Sequence, residues 1–102
     1  MSSEEHYKKG MEHFAEDQLE LAIEELSKAV QADPQFGDAL HALTMCYYHH
    51  KNLDQALKYG KQFKDLEPSN PLAYTSLSMI YNAKGMIKEA EDMGAKARTE
   101  EQ

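Results

Sequence analysis

The stretch MCYYHH, residues 45–50, holds the only cysteine of the chain and two of its five histidines. Cys46, His49 and His50 are spaced i, i+3, i+4, so a helix sets them on neighbouring ridges. Taken alone they read as a metal site, a redox site or ordinary packing. A second set, His41, Met45 and His49, runs i, i+4, i+8 along one ridge, and imidazole with thioether suits copper. Eight residues of helix span about 12 Å, however, so one ion cannot bridge both histidines. Copper binding is therefore the remote reading, and no metal or other cofactor is expected. No H-E-x-x-H, glycine-rich phosphate loop or nucleophile motif occurs, so no enzymatic activity is expected. The acid pairs Glu4-Glu5, Glu24-Glu25 and Glu100-Glu101 read as solvated helix faces rather than catalytic dyads.

Composition narrows the class further. The chain has 102 residues, 41% hydrophobic and 28% charged, which suits one globular domain over 1–102. A net charge of −7, with 11 scattered basic residues, argues against a nucleic-acid partner. No apolar run approaches the roughly 20 residues that cross a bilayer. The amino terminus lacks the basic and apolar regions of a signal peptide, and a lone cysteine fits a reducing compartment. A cytoplasmic protein is the expectation.

What must position these residues is helix. The interval from Pro34 to Pro68 recurs between Ala22, Ala56 and Ala90, and again between Leu19, Leu53 and Ile87. Leu43 with Leu77 and Tyr47 with Tyr81 keep it too. A self-similarity of roughly 34 residues marks a helical repeat array. Within a unit, Leu40, Leu43 and Tyr47 step by three and four along one face. Proline breaks the pattern at "DPQFG" and "EPSNP", and Asn70-Pro71 reads as an N-cap before a first helical position. The spacing predicts helices over 4–17, 19–32, 37–50, 53–66, 71–84 and 87–99. Each is marginal alone and must be stabilised by its neighbours.

These residues resemble the tetratricopeptide repeat (TPR) family. One register fits repeats at 3–36, 37–70 and 71–102 without a gap. It places Gly10, Ala22, Leu26, Ala29 and Pro34 in the first unit, Leu43, Tyr47, Ala56 and Pro68 in the second, and Tyr74, Leu77, Tyr81, Ala90 and Ala97 in the third. The resemblance implies an all-α, right-handed solenoid of six antiparallel helices. Departures from the family pattern carry expectations of their own. Gly60 stands where a large residue is usual and Phe63 where alanine is, which reads as a volume-conserving exchange across one turn. Gly94 repeats the gap without such a gain, so looser packing is expected in the last helix, partly filled by Met93. His6, Lys9 and His13 in the first unit, with Glu91 and Glu100 in the last, read as polar caps. A complete three-repeat protein is expected on that account.

The resemblance further implies a concave face lined by the first helix of each unit. The central position of that face holds Met11, Met45 and Met79. One turn earlier stand Tyr7, His41 and Thr75, and shortly after stand Phe14, Tyr48 and Asn82. His49 follows in the middle unit, and Leu72 lies near the start of the third. Tyr7, Met11, Phe14, His41, Met45, Tyr48, His49, Met79 and Asn82 are thus the expected contacts for a peptide or an amphipathic helix. Methionine suits grooves that accept varied apolar partners. The same ladder also reads as packing between neighbouring first helices, and the sequence leaves both readings open. Carboxylate-clamp members of the family hold acidic chaperone termini with Lys, Asn, Asn, Lys and Arg. Those positions here carry Tyr7, Met11, Ala42, Leu72 and Ser76, so a chaperone binder of that type is not expected. A self-associating scaffold is the alternative to a peptide-binding adaptor. In the same register Cys46 turns inward, His49 faces the groove and His50 ends the helix.

Overall fold

The computed structural model describes residues 1–101. Side-chain caps set where three of the helices start. The Ser2 hydroxyl accepts from the Glu5 amide at 3.1 Å while the Glu5 carboxylate accepts from the Ser2 amide at 3.1 Å, a reciprocal cap that opens α1 (Ser3–Ala15). Asn52 caps α4 (Leu53–Leu66) through the Gln55 amide. Asn70 accepts from the Leu72 amide at 3.0 Å, and Pro71 supplies the preset φ of the first position of α5 (Pro71–Ala83). The others are α2 (Leu19–Ala32), α3 (Gly37–His49) and α6 (Ile87–Glu100). Every boundary lies within two residues of the spacing-based expectation.

The first helix of each repeat stops by one device. Asp17, Lys51 and Gly85 sit at φ of 60°, 63° and 79°, and they hold one register position of successive repeats. After each, an amide reaches back five residues at 2.9 Å: Gln18 to His13, Asn52 to Tyr47, Met86 to Tyr81. This closure needs a left-handed residue. It ends α1 at Ala15 rather than at 17, and Lys51 and Asp17 adopt it without being glycine. The left-handed region costs a residue with a Cβ about 1–2 kcal/mol. Lys51→Gly is therefore expected to stabilise the fold by up to about 1 kcal/mol after glycine's added chain entropy, seen as a Tm rise of a few degrees.

The helices pack as antiparallel pairs, α1 on α2, α3 on α4 and α5 on α6, and consecutive pairs stack through α2 with α3 and α4 with α5. α3 also touches both α1 and α5, whereas α2, α4 and α6 do not meet one another. The stack therefore curves with α1, α3 and α5 on its inner side. The body measures 40 × 25 × 19 Å. Small residues let the helices approach: Ala22, Ala56 and Ala90 are buried at the same register position. Gly10 does the same, because a Cβ there would fall 2.6 Å from Leu26 Cγ. Leu26, Leu40, Leu43, Leu77 and Ile80 fill the layers between.

The exchange at Gly60 and Phe63 takes a particular form. Phe63 is buried among Leu40 and Ala73. The space over Gly60 is filled from the following repeat, with Leu77 Cδ2 3.0 Å and Ile80 Cδ1 3.5 Å from a Cβ placed there. α6 buries only Ala90 and Ala97. Met93 does not fill the gap at Gly94. It turns to the other side of α6, beside Lys64, Pro68 and Tyr74. Glu25 also departs from its expected place on a solvated face. It is 8% exposed, and its carboxylate accepts from His6 Nδ1 at 2.9 Å and lies 3.4 Å from Lys28 Nζ. His6 is correspondingly half-buried rather than a free polar cap.

Candidate functional site

The curvature collects one row of side chains from α1, α3 and α5 on the inner face. A residue three, four or seven positions on stays on the same side of a helix, and this sets the row within each element. Met11 and Met45 are half-buried, and Met79 is 36% exposed, so the ladder is most open in the third repeat. Leu72, two turns before Met79 on α5, is 52% exposed and adds the largest apolar surface of that end. It was not among the nine expected contacts, although its register position had marked it.

Aromatic pairs hold the rest of the row. Tyr7 packs on Phe36 with ring centroids 5.0 Å apart, Phe14 meets His49 at 5.9 Å, and His41 stacks on Phe63 at 5.1 Å. Tyr7, Met11 and Phe14 also lie against the buried cluster of Ala22, Leu26, Ala42, Leu43 and Cys46. In the first repeat these side chains thus pack the helix interface and line the inner face together. Tyr48 meets His49 edge-on at 5.4 Å. Both border a depression of about 400 Å3 that Leu53 and Ala83 complete. Asn82 and Met79 are exposed beyond it.

The MCYYHH stretch divides as its register implies. Cys46 is fully buried, and loss of hydration pushes its thiol up to about 11, so it is protonated at neutral pH and a poor nucleophile or ligand. Tyr47 stacks on Tyr59 at 5.6 Å, while His50 lies at the helix end, 3.5 Å from the Glu20 carboxylate. His41 and His49 lie against different aromatic partners. Burial holds the His41 imidazole below the usual histidine range, opposed by Asp38 and Glu67. Among the described residues no three His, Cys, Asp or Glu side chains converge as a metal site.

A family model described as tetratricopeptide repeat matches residues 13–62. The fold agrees over the whole array: a crystal structure of MamA superposes with a TM-score of 0.94 over 98% of this chain, at 28% identity. The chain belongs to the TPR family. It spans 58% of that MamA chain, and 55% of a second MamA structure with a TM-score of 0.93. The first TPR of Spaghetti (RPAP3), bound to the HSP90 peptide SRMEEVD, superposes with a TM-score of 0.94 at 20% identity, over 98% of this chain and 79% of that one. That likeness concerns the fold. No curated protein sequence matches the chain. The TPR solenoid is a protein-interaction fold, and this chain is a small three-repeat, all-α example of it. Among the described residues no helix is long and apolar enough to cross a membrane.

Proposed function

We propose that this TPR chain is an adaptor whose inner face takes an apolar or amphipathic segment of a protein partner. One observation carries the reading: a methionine recurs at the same register position of all three repeats, and the exposed apolar surface of that row grows from Met11 to Met79 and Leu72. Unbranched thioethers adapt to varied apolar shapes, and aromatic neighbours add contact area at low entropic cost. Tyr7, Phe14, His41, Tyr48, His49 and Asn82 complete the contact set, with Tyr48 and His49 over the depression near Ala83. The buried, free thiol of Cys46 is in keeping with a cytoplasmic setting.

An acidic peptide such as SRMEEVD is a poor guest. The positions that would clamp its carboxylates carry Tyr7, Met11, Ala42, Leu72 and Ser76. Met45→Glu with Tyr48→Glu places two charges in the middle of the row on half-exposed positions, so helicity is expected to persist. Partner capture by that double variant is expected to fall at least about a hundredfold, since desolvating unpaired charges opposes binding. Capture at the level of the unaltered chain, measured by pull-down with circular dichroism as the folding control, would sink the proposal. So would tight binding of SRMEEVD in a calorimetric titration.

A further inference from the structure

The two junctions inside the array share a contact between an acidic and a basic side chain. At the first, His50 Nε2 lies 3.5 Å from Glu20 Oε1; at the second, Lys84 binds the Asp54 carboxylate. The positions correspond: Glu20 and Asp54 are one repeat apart, and so are His50 and Lys84. An acid at the start of each second helix therefore meets a basic side chain at the end of the following first helix. Carried one repeat further, the acidic position becomes Lys88, on the face that α5 and α6 present. Carried one repeat back, the basic position becomes Glu16, at the end of α1. Both members of the pair are reversed together, so the two outer faces stay complementary to one another. Each is mismatched to the interior repeats.

The outer face on α6 also keeps the shape of the junctions. Over Gly60 the cleft is occupied by Leu77 and Ile80 of the next repeat. The equivalent place, Gly94, opens on a cleft of about 290 Å3 bordered by Ser78, Asn82, Glu91 and Arg98, where an added Cβ would meet Ser78 Oγ at 3.5 Å. The antiparallel register of α4 with α5, transferred to α6 and the α1 of another copy, sets Lys88 against Glu16 and Arg98 near Glu5. Lys9 and Glu12 take the places of Leu77 and Ile80, with the Lys9 stem lying along the cleft and its ammonium reaching water.

We infer that the α5–α6 face is a docking surface for the α1 face of a second copy, which continues the repeat stack head to tail through Lys88 and Glu16. The contact is small and carries charge inside the cleft as well as at its rim, since Lys9 and Glu12 stand where the interior junction has the buried Leu77 and Ile80, so it is weak and salt-sensitive. It is heterologous, so it does not close at a dimer. It shares only the border residue Asn82 with the inner-face contact set and uses neither the methionines nor the depression under Tyr48, so the charge-reversal variants test it apart from the adaptor reading.

Light scattering from about 20 μM to 1 mM, at low ionic strength where exposed charges are least screened, tests it. The weight-average mass is expected to climb past 11.6 kDa without levelling at twice that value, and to return to it in about 0.5 M salt. Lys88→Glu or Glu16→Lys alone is expected to hold the chain at its single-copy mass. Both sites are exposed, so folding is preserved. Mixing the two single variants restores growth, because each supplies the charge the other lacks. A constant 11.6 kDa at every concentration and salt overturns the inference. So does a plateau at a dimer, or growth that survives the charge reversals but is lost on Met45→Glu with Tyr48→Glu.

Discussion

Leu77→Ala is expected to destabilise the protein by about 2–5 kcal/mol, the cost of a buried leucine deletion whose cavity cannot collapse. Leu77 is 1% exposed and lies over Gly60 at the junction of the second and third repeats. It fills the gap that the glycine leaves across the junction. The surrounding atoms belong to different helices, held apart by their own backbones, so they close the void only in part. A domain of this length holds roughly 5–15 kcal/mol in all, so the loss lowers Tm by something like 10–25 °C. A double-mutant cycle sharpens the test. In the unaltered chain a Cβ at position 60 would sit 3.0 Å from Leu77 Cδ2, too close without a shift. Once Leu77 is truncated the same methyl fills the void and improves helix propensity. Gly60→Ala should therefore be stabilising in the Leu77→Ala background and neutral or destabilising alone, with a coupling of about 1–3 kcal/mol. Strict additivity of the two changes in chemical denaturation would show that the two residues do not share this space.

His6→Ala is expected to cost about 1–3 kcal/mol near neutral pH. It removes the donor from a carboxylate that is 8% exposed, leaving Glu25 with only the longer contact to Lys28. The hydrogen bond from His6 holds the Glu25 carboxyl below its usual range of about 4.5, with burial opposing and Lys28 assisting. A depressed carboxyl stabilises the fold above its unfolded pKa, and that contribution is lost as pH falls through the lower folded value. The stability gap between the unaltered chain and His6→Ala should thus be full at pH 6–7 and narrow as the pH drops below about 4. Urea midpoints measured across that range check it; a gap that does not change with pH would mean that His6 acts by packing alone.

The helical architecture was legible because its signals are local or strictly periodic. The repeat interval, the proline breaks and Asn70-Pro71 fix helix boundaries without knowledge of what packs where. The inward turn of Cys46 and Tyr47 and the outward turn of His49 follow from phase on one helix, since successive residues rotate by a fixed angle. The left-handed closure at Asp17 and Lys51 was not legible, because neither residue prefers that backbone and the cost is met by the return hydrogen bonds of the turn. Nor was the burial of Glu25. It depends on a partner 19 residues away on another helix, and adjacent glutamates look alike until one of them meets a histidine.

The sequence by itself determined the repeat, the six helices, the pairing of small and large core positions and the register that lines the inner face. Tertiary structure decided how much of that face is free. Tyr7, Met11 and Phe14 share their surface with the buried cluster between α1, α2 and α3, whereas Met79 and Leu72 stand open. It also decided which clefts are filled, Gly60 by the next repeat and Gly94 by none of the described residues. The physical reason is the same in each case. Periodicity fixes the direction in which a side chain leaves its helix. Burial depends on whether a neighbouring helix arrives there, and that is a property of the stack.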